Sequence, residues 1–126
     1  MSKLVLKVVS EGMDALNLEY GFGVYSGDST DLYFVGEYTE DEPMNEDGMQ
    51  ETAFLLTGFC RGSWLTLENA KERIENYFHK VSGKTVMAED GSAVAVFYAN
   101  ALIVPTGDAE LKRIQINLHC KEWSVN

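Results

Sequence analysis

"LKRIQINLHCKEW", residues 111–123, decides how the rest of the chain is read. Ile114, Ile116, Leu118 and Cys120 fall on every second position, with Arg113, Gln115, Asn117, His119 and Lys121 between them. That two-residue period belongs to a strand with one core face and one polar face. One-sided burial of this kind fits an antiparallel sheet covered on a single side.

Upstream, "VPTGDAEL" (104–111) reads as a turn, and "KTVMAEDGSAVAVFYANALIV" (84–104) reads as two strands reversing at Asp90-Gly91. A helix is expected from Leu67 to about Val81. There Leu67, Ala70, Ile74, Tyr77, Phe78 and Val81 recur at three and four residues. Thr66 is the expected N-cap, with Glu68 in the first turn, while Lys80 and Gly83 close the other end. Lys71 and Glu75 stand one turn apart on its outer side.

Further back, "DLYFVGEYTE" (31–40) and "QETAFLLTGFC" (50–60) read as an antiparallel strand pair. "EYGFGVYSGDST" (19–30) is a short strand or a loop ending in a turn. Residues 3–17 carry two patterns. Val5, Val8, Val9, Met13 and Leu16 share a helical face, yet Leu4, Leu6 and Val8 also alternate as in a strand. The helix is preferred because it puts Ser10, Glu11 and Asp14 on one polar side, although Gly12 costs it about 1 kcal/mol. The expected order is α-β-β-β-α-β-β-β, with the first strand uncertain. This predicts one α+β domain over residues 1–126, a mainly antiparallel sheet with two helices packed on one face.

The chain has 126 residues and can bury roughly two-thirds of its unfolded surface, so a core needs no staple. No apolar run approaches the roughly 18 residues of a membrane span. "MSKLVLKVVSEGMDALNL" soon meets Glu11 and Asp14 and lacks a small-residue cleavage site, so no secretory signal is expected. Cys60 and Cys120 lie in apolar runs, where two buried thiols are the simplest reading. The net charge of −10 opposes general nucleic-acid binding, which needs a basic stripe to displace counterions.

Catalytic patterns are not visible. Two histidines are few for a metal site. His79 stands near a helix end, where a cation suits the dipole, and His119 falls on a strand's polar face. His119 and Cys120 are adjacent on that strand and so point apart. Ser92 lies in a turn rather than in a nucleophile elbow. Gly21-Phe22-Gly23 lacks the third glycine and the following helix of a nucleotide fingerprint. Aligned on Gly48, a calcium loop would put Pro43 at the first ligand position and Phe54 at the last, so that register fails. No catalytic, cofactor-binding or metal-ligating residue is assigned, and no enzyme is expected. Phe54, Phe59, Tyr77, Phe78 and Phe97 read as core. Trp64 and Trp123 stand at element boundaries, where large aromatics often anchor contacts between chains.

The stretch "EYTEDEPMNEDGMQE" (37–51) holds seven carboxylates and no Lys or Arg. It is read as an extended, mobile connection between two strands whose charges order beside a partner; a passive solvated loop is the alternative. The candidate contact residues are Glu40, Asp41, Glu42, Met44, Glu46 and Asp47, with Trp64, Arg113 and Trp123.

In its organisation the chain resembles the tail-terminator (tail completion) proteins of long-tailed bacteriophages and prophages. The likeness rests on three stretches: "DLYFVGEYTE" running into an acidic loop, "GMQETAFLLTGFCRGSWLTLENAKERIENYF" as a strand leading into a helix, and "GDAELKRIQINLHCKEW" as an acidic turn leading into a strand. It spans nearly the whole chain, without a diagnostic motif. The resemblance implies an α+β subunit of a ring, usually hexameric, that caps the tail tube and meets the head connector. It implies no catalysis and no cofactor, and a place in the virion tail or, during assembly, in the bacterial host cytoplasm. A negative lumen would keep passing DNA from sticking, and exposed strand edges would let subunits pair. The alternative is an acidic DNA mimic that inhibits a nucleic-acid-binding enzyme.

Overall fold

The computed structural model describes residues 3–27, 31–40 and 49–123. Two helices and six strands follow the expected order: α1 Lys3–Ala15, β1 Tyr20–Phe22, β2 Leu32–Glu40, β3 Met49–Cys60, α2 Trp64–Phe78, β4 Lys84–Met87, β5 Ala93–Ile103 and β6 Lys112–Trp123. The strands form one sheet in the order β1-β2-β3-β6-β5-β4, curled and mostly antiparallel, so the fold is α+β.

The centre of the sheet is the β3–β6 pair, in register from Met49↔Trp123 to Cys60↔Lys112. The two-residue alternation of β6 holds along its length: Ile114, Ile116, Leu118 and Cys120 are buried, and the residues between them are half-buried. On the same face, Phe54 and Leu56 of β3 stand opposite Leu118 and Ile116, and Val96 and Tyr98 of β5 stand opposite Cys120 and Leu118; all four are buried, as are Cys60 and Val94 further along. Both helices lie over that face. Val5, Val8, Val9 and Met13 of α1 and Leu67, Ala70, Ile74 and Phe78 of α2 join it in one core. The helical reading of residues 3–17 therefore holds.

Gly12 sits in this core for a packing reason. A Cβ there would stand 2.8 Å from Cε1 of Tyr77 and 2.9 Å from Cζ of Phe78. The glycine that lowers intrinsic helicity lets α1 touch α2, so tertiary contact outweighs propensity.

Several expectations shift. Helix α2 begins three residues before Leu67. Ser63 is its N-cap, accepting from the Thr66 amide at 3.3 Å, so Glu68 lies beyond the first turn. The helix ends at Phe78, and Val81 is exposed rather than core. The cap is His79, in the left-handed region at φ 51°, and not Gly83. The His79 Nδ1 accepts hydrogen bonds from the amides of Val81 and Ser82, each 3.2 Å. It thus closes the turn after the helix as a hydrogen-bond acceptor, and Lys80 lies outside the helix. Lys71 meets Glu75 at 3.5 Å as expected and Glu68 at 3.0 Å. The hydrogen bond to Glu68 raises the Lys71 pKa despite opposing desolvation.

The 37–51 stretch is not all connection. Glu37–Glu40 end β2 and Met49–Glu51 begin β3, paired as Glu40↔Thr52, with the aromatic Tyr38 and β-branched Thr39 suited to a strand although all four β2 positions are exposed. Positions 41–48 lie outside the described residues. β1 is real but short, and it pairs parallel with β2, Gly21 opposite Val35. The hairpin forms around Gly91 at φ 91°, where Asp90 accepts from the Ser92 hydroxyl at 2.6 Å and from its amide at 2.9 Å. Those bonds hold the Asp90 carboxyl below its usual range.

Candidate functional site

The sheet face opposite the helices is uncovered among the described residues. Phe59 and Phe97, expected in the core, lie on this face, since they share parity with Leu55 and His119 respectively. Tyr25, Tyr33 and Phe59 stack in a ladder with centroids 4.7 and 5.2 Å apart. Beside it, Val35, Glu37, Leu55, Thr57, Phe59, Val104, Arg113 and Gln115 line a shallow hollow of about 400 Å³. Arg113 pairs with Phe59 across the strands and donates from Nη2 to the Pro105 carbonyl at 3.3 Å. Gln115, Asn117 and Asn100 form a side-chain chain across the same face. Polar and apolar groups are half-buried here without a covering layer.

The predicted contact residues separate to the two ends of the central strands, roughly 37 Å apart for twelve residues at 3.4 Å each. At the Lys112 end lie Arg113 and Trp64. Trp64 opens α2, is 45% exposed, and lines a hollow of about 340 Å³ with Ile103, Pro105 and Leu111. At the opposite end lie Glu40 and Trp123, the latter across from Met49 and Ala93. Asp41, Glu42, Met44, Glu46 and Asp47 lie outside the described residues.

Sequence reasoning missed three further members of the Lys112 end: Leu65, Leu102 and Ile103, 68%, 48% and 61% exposed. The run Leu102-Ile103-Val104 looks like an ordinary core strand. Only the position of the helices shows that β5 extends past their cover. A second exposed apolar group, Phe22 and Tyr38, stacks at 6.1 Å beside the outer part of β2.

Cys60 and Cys120 are buried, and neither is in a disulfide. Cys120 is opposite Thr52, so the two sulfurs lie about 27 Å apart along β3. His119 faces away from Cys120, with Nε2 at 3.8 Å from Glu51. Among the described residues, no group of three or more His, Cys, Asp or Glu is placed to hold a metal ion. None of the helices there is long and apolar enough to cross a membrane. A hollow beside α1, lined by Ser10, Glu11, Asp14 and Glu19, brings acids together without a basic group in its lining.

Charge is unevenly placed around the sheet. Lys80, His119 and Lys121 line one hollow with Phe97 and Ala99 at the β5 side, where Lys121 rests over the Phe97 ring. At the β2 side, Glu37 and Glu40 are exposed.

Two helices on one face of a six-stranded, mostly antiparallel sheet, with exposed apolar groups at both ends, define the α+β class of this chain. No known family and no curated protein matches the sequence. In fold it is similar to a chain of the "Virion of native gene transfer agent (GTA) particle", with a TM-score of 0.67 at 10% identity. The alignment covers 90% of this chain and 84% of that one.

Proposed function

We propose that this protein is a structural component of a phage or phage-like virion, without enzymatic activity. It is a tail terminator or minor tail subunit that assembles into a ring at the tail end and joins the head connector. One observation carries the reading: nearly the whole chain superposes on a subunit of a gene transfer agent virion. Distant likeness of this kind shows fold and leaves function to the surfaces. The surfaces support assembly. Exposed Trp64, Leu65, Leu102 and Ile103 at one end, and Phe22 and Tyr38 by the outer part of β2, are the kind of apolar groups that subunit contacts cover.

The DNA-mimic alternative needs carboxylates spaced over one face like phosphates. Here Glu89 and Asp90 flank the hairpin near Trp123, whereas Asp108 and Glu110 lie at the Lys112 end. The reading places the protein in the virion tail, or in the bacterial host cytoplasm during assembly. The test is the mass of the purified protein in solution, alone and with candidate tube and connector proteins. Rings, or complexes with those proteins, are expected. A monomer that binds neither, or salt-sensitive capture of a DNA-binding enzyme, would overturn it.

A further inference from the structure

The two sides of the sheet expose backbone of complementary character. β4 reaches only as far as Val96 on β5, so among the described residues Asn100–Ile103 have β6 on one side and no strand on the other. The Val104 amide donates to the Arg113 carbonyl at 3.0 Å, so residues 100, 102 and 104 turn their backbone groups toward β6. By alternation Ala101 and Ile103 turn theirs outward. On the far side of the sheet, β1 ends opposite Gly36. Phe34 and Gly36 bond toward β1, so Tyr38 turns its amide and carbonyl outward as well.

An exposed apolar edge is a template for another strand, and natural proteins usually blunt such edges with charge or proline. Neither stands at 99–103, "ANALI". We infer that a second copy of this chain occupies that edge, its β2 end at Tyr38 adding to β5 at Ala101–Ile103. Charge favours this partner over another strand. Glu37 and Glu40 stand at the β2 edge, while Lys80 and Lys121 line a hollow with Ala99, where the open β5 edge begins. Because the two edges differ, the contact is heterologous, and repeating it yields a closed ring or an open filament. The inference rests on the assembly reading above and names its interface.

Proline tests it, since Ile103→Pro and Tyr38→Pro each remove an outward amide and spare the chain's own ladder. Ile103→Glu keeps the amide and adds charge of the same sign as Glu37 and Glu40, at a side chain that is 61% exposed. Circular dichroism and thermal melts establish that each variant is folded, and sedimentation reads its mass. Wild type is expected to assemble, with all three variants monomeric. An equimolar mixture of Ile103→Pro and Tyr38→Pro is expected to stop at two chains, because each retains one intact edge. Variants that assemble like wild type would overturn the edge pairing and leave assembly standing, as would a mixture that stays monomeric. A wild type that never assembles would overturn both.

Discussion

Gly12 of α1 lies against Phe78 of α2 so closely that an added methyl would meet the Phe78 ring at 2.9 Å. Phe78 is fully buried, and Tyr77 stands at 2.8 Å on the same side, so neither ring has easy room to retreat. Gly12→Ala should gain about 1 kcal/mol of helix propensity and lose about 1–3 to overpacking. A net loss of up to about 2 kcal/mol in chemical denaturation is expected; a more stable variant would show that the helices can part without cost.

Tyr20 carries a second expectation. Its hydroxyl is buried over Gly36 and has no hydrogen-bond partner among the described residues. Burial pushes its pKa up to about 12. Tyr20→Phe should therefore stabilise the fold by about 1 kcal/mol. The sign with pH follows from linkage. Above about 10 the unfolded chain loses this proton while the folded chain keeps it, so stability falls as pH rises toward about 12. Comparing melts of wild type and Tyr20→Phe across that range isolates the effect: the wild type should lose stability faster.

Within the sheet, the Thr52 hydroxyl donates to the Glu122 carboxylate at 2.7 Å, both groups buried. Thr52→Val keeps the shape and removes the donor, which should cost about 1–3 kcal/mol. Glu122→Gln retains an acceptor and should cost less. A harmless Thr52→Val beside a costly Glu122→Gln in urea denaturation would mean that the carboxylate's charge, and not the bond, matters.

Ser63 caps α2 through the Thr66 amide. Ser63→Ala should cost about 0.5–2 kcal/mol, whereas Ser63→Asp should preserve the cap. Thermal melts of the pair check this, and a harmless alanine would return the cap to Thr66.

The same helix shows what the sequence could and could not tell. Its middle was legible because Leu67, Ala70, Ile74 and Phe78 are buried at helical spacing. Its start was not, because Trp64 and Leu65 break the polar rule for exposed positions, and Ser63 and Thr66 are both competent caps. The parity of Phe59 was readable in principle: it is five residues from Phe54, so the two cannot share a strand face. The strands themselves followed from alternation, as in Ile114 to Cys120. The parallel pairing of β1 left no local mark, since it depends on where the chain returns. The ends of the sheet were half legible. Trp64 and Trp123 stood out by size, but the exposure of Ile103 depends on how far the helices reach.

The bulge at Ala99 changes what a change in chain length means. Tyr98 pairs with Leu118 and Asn100 with Asn117, so the residue between them has no counterpart across the ladder. Losing one codon elsewhere in β5 would send the remaining side chains to the wrong surfaces. Losing the codon for Ala99 would keep every neighbour facing as it does now and only straighten the strand. Relatives one residue shorter at this point would thus be compatible with the same core, and the kink is the feature such a shortening would erase.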